Sequence, residues 1–201
     1  MIEQTQVARK GSRSLQVDDS GWLRGVRRVE SPNCDERPDP GDVSLLVIHA
    51  ISLPPDRFGG PWIDRLFTNT LDPDAHPYFA TLRELRVSAH LLIRRTGGVV
   101  QYVPLQRRAW HAGVSSFDGR SRCNDFSIGI ELEGCDTRPF TARQYARLIA
   151  VTRALRVRYP LLVDGRIVGH SDIAPGRKTD PGPGFDWDRY RRALEGSTIS
   201  T

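Results

Sequence analysis

The sequence predicts one α/β domain with a mixed central β-sheet flanked by helices. Three observations carry this expectation. Short apolar runs with strand character alternate along the chain with longer stretches of helical spacing, the signature of helices packed on a sheet. A hairpin sits among them, so the sheet is not purely parallel. The 201 residues suit one domain with a sizeable core and contain no internal repeat or low-complexity tract.

Residues 1–20 are polar and aperiodic and read as a flexible leader, with the domain spanning 21–195 and a tail at 196–201. The continuous apolar run Ser44 to His49 reads as a strand buried on both faces and ending in a histidine. Residues 53–61, rich in Pro and Gly, form a loop that leads into a short helix from Pro61 to Phe67. Tyr78 to Leu85 has helical spacing. Ala89–Arg94 and Val99–Val103 flank Thr96-Gly97-Gly98 as a hairpin. Ser127 to Glu133 alternates strictly, placing Ile128, Ile130 and Leu132 on one face and Glu131 and Glu133 on the other. Thr141 and Gln144 make a capping box for the clearest helix, which runs to about Tyr159 before Pro160. A strand from Arg166 to Gly169 then delivers His170, and a last helix spans Asp186 to about Leu194.

Composition narrows the functional classes. No apolar run approaches bilayer length, and the N-terminal residues lack the apolar core of a secretory signal, so a cytoplasmic protein is expected, with no membrane partner. Cys34, Cys123 and Cys135 are an odd set without a Cys-x-x-Cys pair and read as free thiols. The net charge of +5 permits nucleic acid or an acidic small substrate. Nucleic acid is not expected, because the basic residues are interspersed with acidic ones and no nucleic-acid-binding motif occurs. A serine hydrolase is disfavoured too, since no Gly-x-Ser-x-Gly elbow is present.

The segment from His170 to Gly184 is the richest in chemistry. It places His170, Lys178 and Asp180 in a loop stiffened by three prolines and three glycines. Lys178 is one of only two lysines among 29 basic residues, which suggests that a compact ammonium is wanted there. On extended backbone Lys178 and Asp180 would project to the same side. Two strand-end histidines, His49 and His170, together with Asp180 form a three-ligand set of the kind catalytic zinc uses, with a fourth position left for water. Glu131 could then move the water proton and Lys178 stabilise an oxyanion. Each residue also has a plainer reading: a hydrogen-bonded strand-end histidine, a solvated glutamate face, a charged surface loop.

The joint pattern decides between these readings. Leu46-Val47-Ile48-His49, Phe58-Gly59-Gly60-Pro61-Trp62-Ile63, Arg86-Val87-Ser88-Ala89-His90, Ala109-Trp110-His111-Ala112-Gly113, Cys123 to Gly134 and the His170 loop occur in an order that resembles the AmpD family of zinc amidases, within the type 2 amidase and peptidoglycan-recognition superfamily. The resemblance runs from about Gly21 to Leu194. It implies one Zn²⁺ per chain on His49, His170 and Asp180, with Glu131 and Lys178 catalytic. It also implies a substrate cleft near Arg86, Trp110, His111 and Arg122, suited to the carboxylates of a muropeptide stem. The implied activity is hydrolysis of the bond between the lactyl group of (1,6-anhydro)-N-acetylmuramic acid and L-alanine. The implied setting is a cytoplasmic monomer that recycles peptidoglycan and indirectly influences β-lactamase induction. The alternatives are a peptidoglycan-fragment binding module without catalysis and a periplasmic paralogue acting on intact wall. His76 and His90 are assigned to structure. Ala50 stands where the family usually has asparagine, so one polar contact at the cleft is expected to be missing.

Overall fold

The computed structural model describes residues 14–196. In chain order its strands are β1 (Arg27–Arg28), β2 (Cys34–Asp35), β3 (Leu45–Ile51), β4 (Leu91–Ile93), β5 (Val99–Gln101), β6 (Arg108–Ala109), β7 (Ser116–Phe117), β8 (Arg120–Ser121), β9 (Ser127–Glu133) and β10 (Ile167–Gly169). The α-helices are α1 (Trp62–Phe67), α2 (Pro77–Ala80), α3 (Ala142–Arg158), α4 (His170–Ile173) and α5 (Trp187–Glu195). Six strands form the central sheet in the order β1-β5-β4-β9-β3-β10. The β4/β5 pair is antiparallel and every other pairing in it is parallel, so the sheet is mixed as the hairpin required.

Side-chain alternation explains the layers. Leu46 and Ile48 of β3 and Ile128, Ile130 and Leu132 of β9 face one core, shared with Tyr145, Leu148, Val151 and Leu155 of α3 and with Tyr190 and Leu194 of α5. The opposite face divides. Leu92, Val100 and Tyr102 pack with Ile63, Leu66 and Phe67 of α1 and with Phe79 of α2, whereas Leu45 and Val47 pack with Ala112, Phe126 and Ile173 of α4. His49 and Glu131 belong to this second face, opposite one another in the β3/β9 register. They stand near the carboxyl ends of neighbouring parallel strands, the end at which open α/β sheets place their ligands.

The capping box is present: Gln144 N donates to Thr141 Oγ1 at 3.1 Å, and Thr141 N donates to Gln144 Oε1 at 3.0 Å. Such a cap is worth about 1 kcal/mol. Elsewhere the structure departs from the expected boundaries. The helix expected over Tyr78–Leu85 is one turn, capped by His76 and opened by Pro77. Beyond Ala80 the backbone continues through i→i−3 bonds, from Leu82 N to Phe79 O and from Leu85 N to Leu82 O. Phe79 is the buried residue of that turn, too narrow an anchor to hold a longer helix.

The β9 strand has no solvated side. Its Glu133 is 3% exposed and accepts from Gly59 N, Arg94 Nη1 and Arg95 N, so this carboxylate holds loops together. The leader also ends earlier than residue 20. Val17 forms an antiparallel bridge with Leu23, Asp18 Oδ1 accepts from Trp22 N, and Leu15 and Val17 pack against the core. The remainder of the leader (1–13) and tail residues 197–201 lie outside the described residues. Cys34, Cys123 and Cys135 are free thiols. No helix among the described residues is long and apolar enough to cross a membrane.

Candidate metal centre

Strand β3 carries His49, the step from β10 into α4 presents His170, and the following loop returns Asp180. His49 Nδ1 and His170 Nδ1 are 3.0 Å apart, and Asp180 Oδ2 lies 3.2 Å from each. His49 and His170 are 1% and 3% exposed. The loop is tied back to the helix by Ser171 N donating to Asp180 O at 3.0 Å. Asp172, adjacent to the cluster, caps instead: Gly169 N donates to its Oδ2 at 2.7 Å. A turn closing on Ala174 O engages Arg177 N and Lys178 N just before this pair. Lys178 and Asp180 line the same cleft.

The donor set fits a small divalent cation. His170 Nε2 donates to Ala112 O at 3.2 Å, so its proton is on Nε2 and its Nδ1 directs a lone pair into the triangle. Tetrahedral ligands about 2.0–2.1 Å from zinc are separated by about 3.3 Å, close to the three observed edges. Burial pushes His49 down to about 4, against the raising effect of Asp180, so this imidazole is neutral at pH 7. Burial would raise Asp180, yet its close approach to His170 and His49 holds it well below the usual carboxylate range. Two imidazole nitrogens and a carboxylate oxygen therefore converge, and a cation among them would take a lone pair from each.

Glu131 stands beside this triangle in the cleft. Burial raises its pKa well above the ordinary value and the Asp180 charge adds to the rise, opposed by Lys178. Its Oε2 is buried without a hydrogen-bond partner. A carboxyl whose pKa is raised by burial, with Oε2 free of hydrogen-bond partners and an ammonium in the same cleft, is suited to taking and returning a proton.

The cleft has a volume of about 730 Å³ and is lined by Lys178, Arg86 and Trp110 together with apolar residues such as Leu53, Leu82 and Leu85. Arg86 is exposed on its wall, donating to Arg83 O and Leu85 O. Trp110 is held by Nε1 donating to Asp35 Oδ1 at 3.1 Å, and Asp35 is itself gripped by Arg108. His111 reaches the cleft, but both ring nitrogens are engaged, Nδ1 with His49 at 2.9 Å and Nε2 with Ser127 Oγ at 3.2 Å. Arg122 is 70% exposed, rests on Asp125 at 3.2 Å and is not among the cleft-lining residues. Ala50 lines the cleft and brings no polar group. His90 and His76 are structural: Gly129 N donates to His90 Nδ1, and His76 caps α2.

Sequence reasoning missed Asn124 and Arg37. Asn124 Oδ1 accepts from both His111 N and Ala112 N. Arg37, 3% exposed, donates to the carbonyls of Asn124, Asp125 and Ser127. One arginine in a chain full of them gives no signal of burial. Asn124 stood within a quoted motif, but its partners lie 12 and 13 residues away, at a spacing with no periodic meaning.

Residues 39–183 match the family model described as N-acetylmuramoyl-L-alanine amidase. The chain belongs to this amidase family. It is 63% identical over 180 residues to the 1,6-anhydro-N-acetylmuramyl-L-alanine amidase AmpD of Citrobacter freundii, covering 90% of this chain and 96% of the relative. A crystal structure of a selenomethionine AmpD derivative superposes with a TM-score of 0.85 at 64% identity, over 88% of this chain and 98% of that one. The AmpDH3 amidase of Pseudomonas aeruginosa, solved with anhydromuramic pentapeptide, aligns at 30% identity and a TM-score of 0.57, over 76% of this chain and 60% of its own. As an N-acetylmuramoyl-L-alanine amidase the chain hydrolyses an amide, and its His49–His170–Asp180 cluster, which could hold a metal ion, lines the same cleft as Glu131 and Lys178.

Proposed function

We propose that this amidase is a zinc enzyme that hydrolyses the amide joining the lactyl group of 1,6-anhydro-N-acetylmuramic acid to L-alanine, in cytoplasmic peptidoglycan recycling. The observation that carries the reading is the triangle of His49 Nδ1, His170 Nδ1 and Asp180 Oδ2 beside an unpartnered, proton-poised Glu131. High identity to AmpD supports the anhydro-muropeptide as substrate, and AmpDH3 is seen with an anhydromuramic peptide.

His49, His170 and Asp180 would hold the zinc, which when bound lowers the pKa of water and polarises a carbonyl. Glu131 accepts a proton from the attacking water as its oxygen bonds to the lactyl carbonyl carbon. The Lys178 ammonium stabilises the negative charge that develops on the former carbonyl oxygen. Glu131 then returns the proton to the alanine nitrogen as the carbon–nitrogen bond breaks. The products are a lactyl carboxylate and a peptide with a free amino terminus. Arg86 and Trp110 are proposed to hold the substrate, the arginine by carboxylate pairing and the indole by stacking. The enzyme acts as a monomer, and removal of anhydro-muropeptides is its indirect route to β-lactamase induction.

Mass spectrometry of a defined set of muropeptides, incubated with zinc-loaded and with chelator-stripped protein, tests this. Cleavage between the lactyl group and L-alanine that is abolished by stripping and restored by zinc is expected. Zinc-loaded protein that binds an anhydro-muropeptide and leaves it intact would refute the reaction and leave a binding module. Recovery of the native protein from the periplasm would refute the location.

A further inference from the structure

His49 and His170 both turn Nδ1 toward the triangle, so each needs a partner for Nε2. One short segment supplies both. Ala112 O accepts from His170 Nε2, and His111 Nδ1 lies 2.9 Å from His49 Nε2. The segment is pinned by its own backbone, with His111 N and Ala112 N donating to the single Oδ1 of Asn124 at 3.1 and 2.8 Å. On its other side Arg177 Nη2 donates to Ala112 O at 2.7 Å and to Val114 O at 2.6 Å. The His111 ring lies so close over β9 that a Cβ at Gly129 would come within 2.5 Å of its Cγ. Its far nitrogen meets Ser127 Oγ at 3.2 Å.

We propose that His111 is a positioning residue for the metal centre: it fixes the tautomer of His49 and thereby turns a lone pair, not a proton, toward the ion. The inference rests on the zinc reading. Proton placement on the two rings is coupled. With Ser127 Oγ accepting from His111 Nε2–H, His111 Nδ1 is an acceptor; it takes the Nε2–H of His49, and His49 Nδ1 is left bare. With the proton on His111 Nδ1 instead, His49 Nε2 would accept and its Nδ1–H would point into the triangle, where it excludes a cation. The sequence reading placed His111 among the substrate contacts, but a ring with both nitrogens engaged has none to offer a substrate. Partners of this kind raise the basicity of a metal-bound imidazole and fix its orientation.

The test compares wild type with His111→Leu, which fills the space without an acceptor, and His111→Asn, whose Oδ1 can occupy the place of Nδ1. Metal-stripped proteins are titrated with zinc against a chromophoric chelator, and imidazole ¹H–¹⁵N spectra of the zinc-loaded forms report the His49 tautomer. The expected result is a loss of zinc affinity of about 10- to 100-fold for His111→Leu, with recovery in His111→Asn. A protected His49 Nε2–H signal should be present in wild type and His111→Asn and weakened in His111→Leu. Equal zinc affinity in wild type and His111→Leu, or equal losses in the two variants, would overturn the proposal. If His111→Leu does not fold, Ser127→Ala decides: a mixed His49 tautomer with weaker zinc binding supports the proposal, and an unchanged tautomer overturns it. A folded wild type that takes up no zinc would overturn the metal reading and this one with it, whereas tight wild-type binding with an indifferent His111→Leu overturns this one alone.

Discussion

At the scale of residues, the proposed mechanism divides the polar groups of the cleft into holders and movers of charge, and substitution should separate them. His49→Ala, His170→Ala and Asp180→Ala should each lower both zinc content and turnover, measured by elemental analysis and a muropeptide assay. Glu131→Gln should retain zinc and lower kcat by about 10²–10⁴-fold, the size of a general base contribution. Lys178→Ala should also retain zinc and cost about 10²–10³-fold in kcat with little change in KM, since in the proposed mechanism its ammonium acts on charge that exists only in the transition state. These five side chains could be singled out in the sequence because the motifs around them stand in a fixed order and because histidine and lysine are scarce there. Arg122 shows the limit of that legibility: nothing in the chain distinguishes an arginine that lines a cleft from one that rests on Asp125 at the surface.

At the scale of elements, local rules were read well where one short segment contained all their partners. The capping box at Thr141, the β4/β5 hairpin and the alternation of β9 are such cases. Thr141 does a second job that the sequence hid, donating through Oγ1 to Arg95 O at 2.8 Å. Thr141→Ala should therefore destabilise the protein by about 1–2 kcal/mol in chemical denaturation, a cap plus a hydrogen bond, with kcat unchanged. The second face of β9 could not be read as buried from its two glutamates, because what covers Glu133 comes from loops 39 and 74 residues away. The one-turn α2 was overestimated for a related reason: helical spacing marks which residues would share a face, but a face must find something to pack against.

At the scale of the molecule, the fold class followed from the interleaving of elements, whereas the strand order β1-β5-β4-β9-β3-β10 rests on crossovers that no local pattern encodes. Burial has a cost that the whole chain shows in acid. His90 is fully buried; burial first, then the neighbouring Arg37 charge, pushes it down to about 3, while in the unfolded chain it titrates near the ordinary value of 6.5. Between those two values the unfolded chain binds a proton that the folded one does not, so stability falls as pH falls through this window, at up to about 1.4 kcal/mol per pH unit from this group. The melting temperature of metal-free protein should therefore decline from pH 6.5 downward. His90→Asn, whose Oδ1 can still accept from Gly129 N, should flatten that decline.

The triangle has a consequence for the chain as a polymer. His49 and His170 are 121 residues apart in sequence, so an ion held by both would be a reversible cross-link between β3 and the segment that follows the edge strand β10. On the zinc reading, metal supply would set durability as well as catalysis. Free zinc at about 100 times its Kd should add about 2.7 kcal/mol and raise the melting temperature by about 5–10 °C, and scanning calorimetry with and without chelator measures the difference.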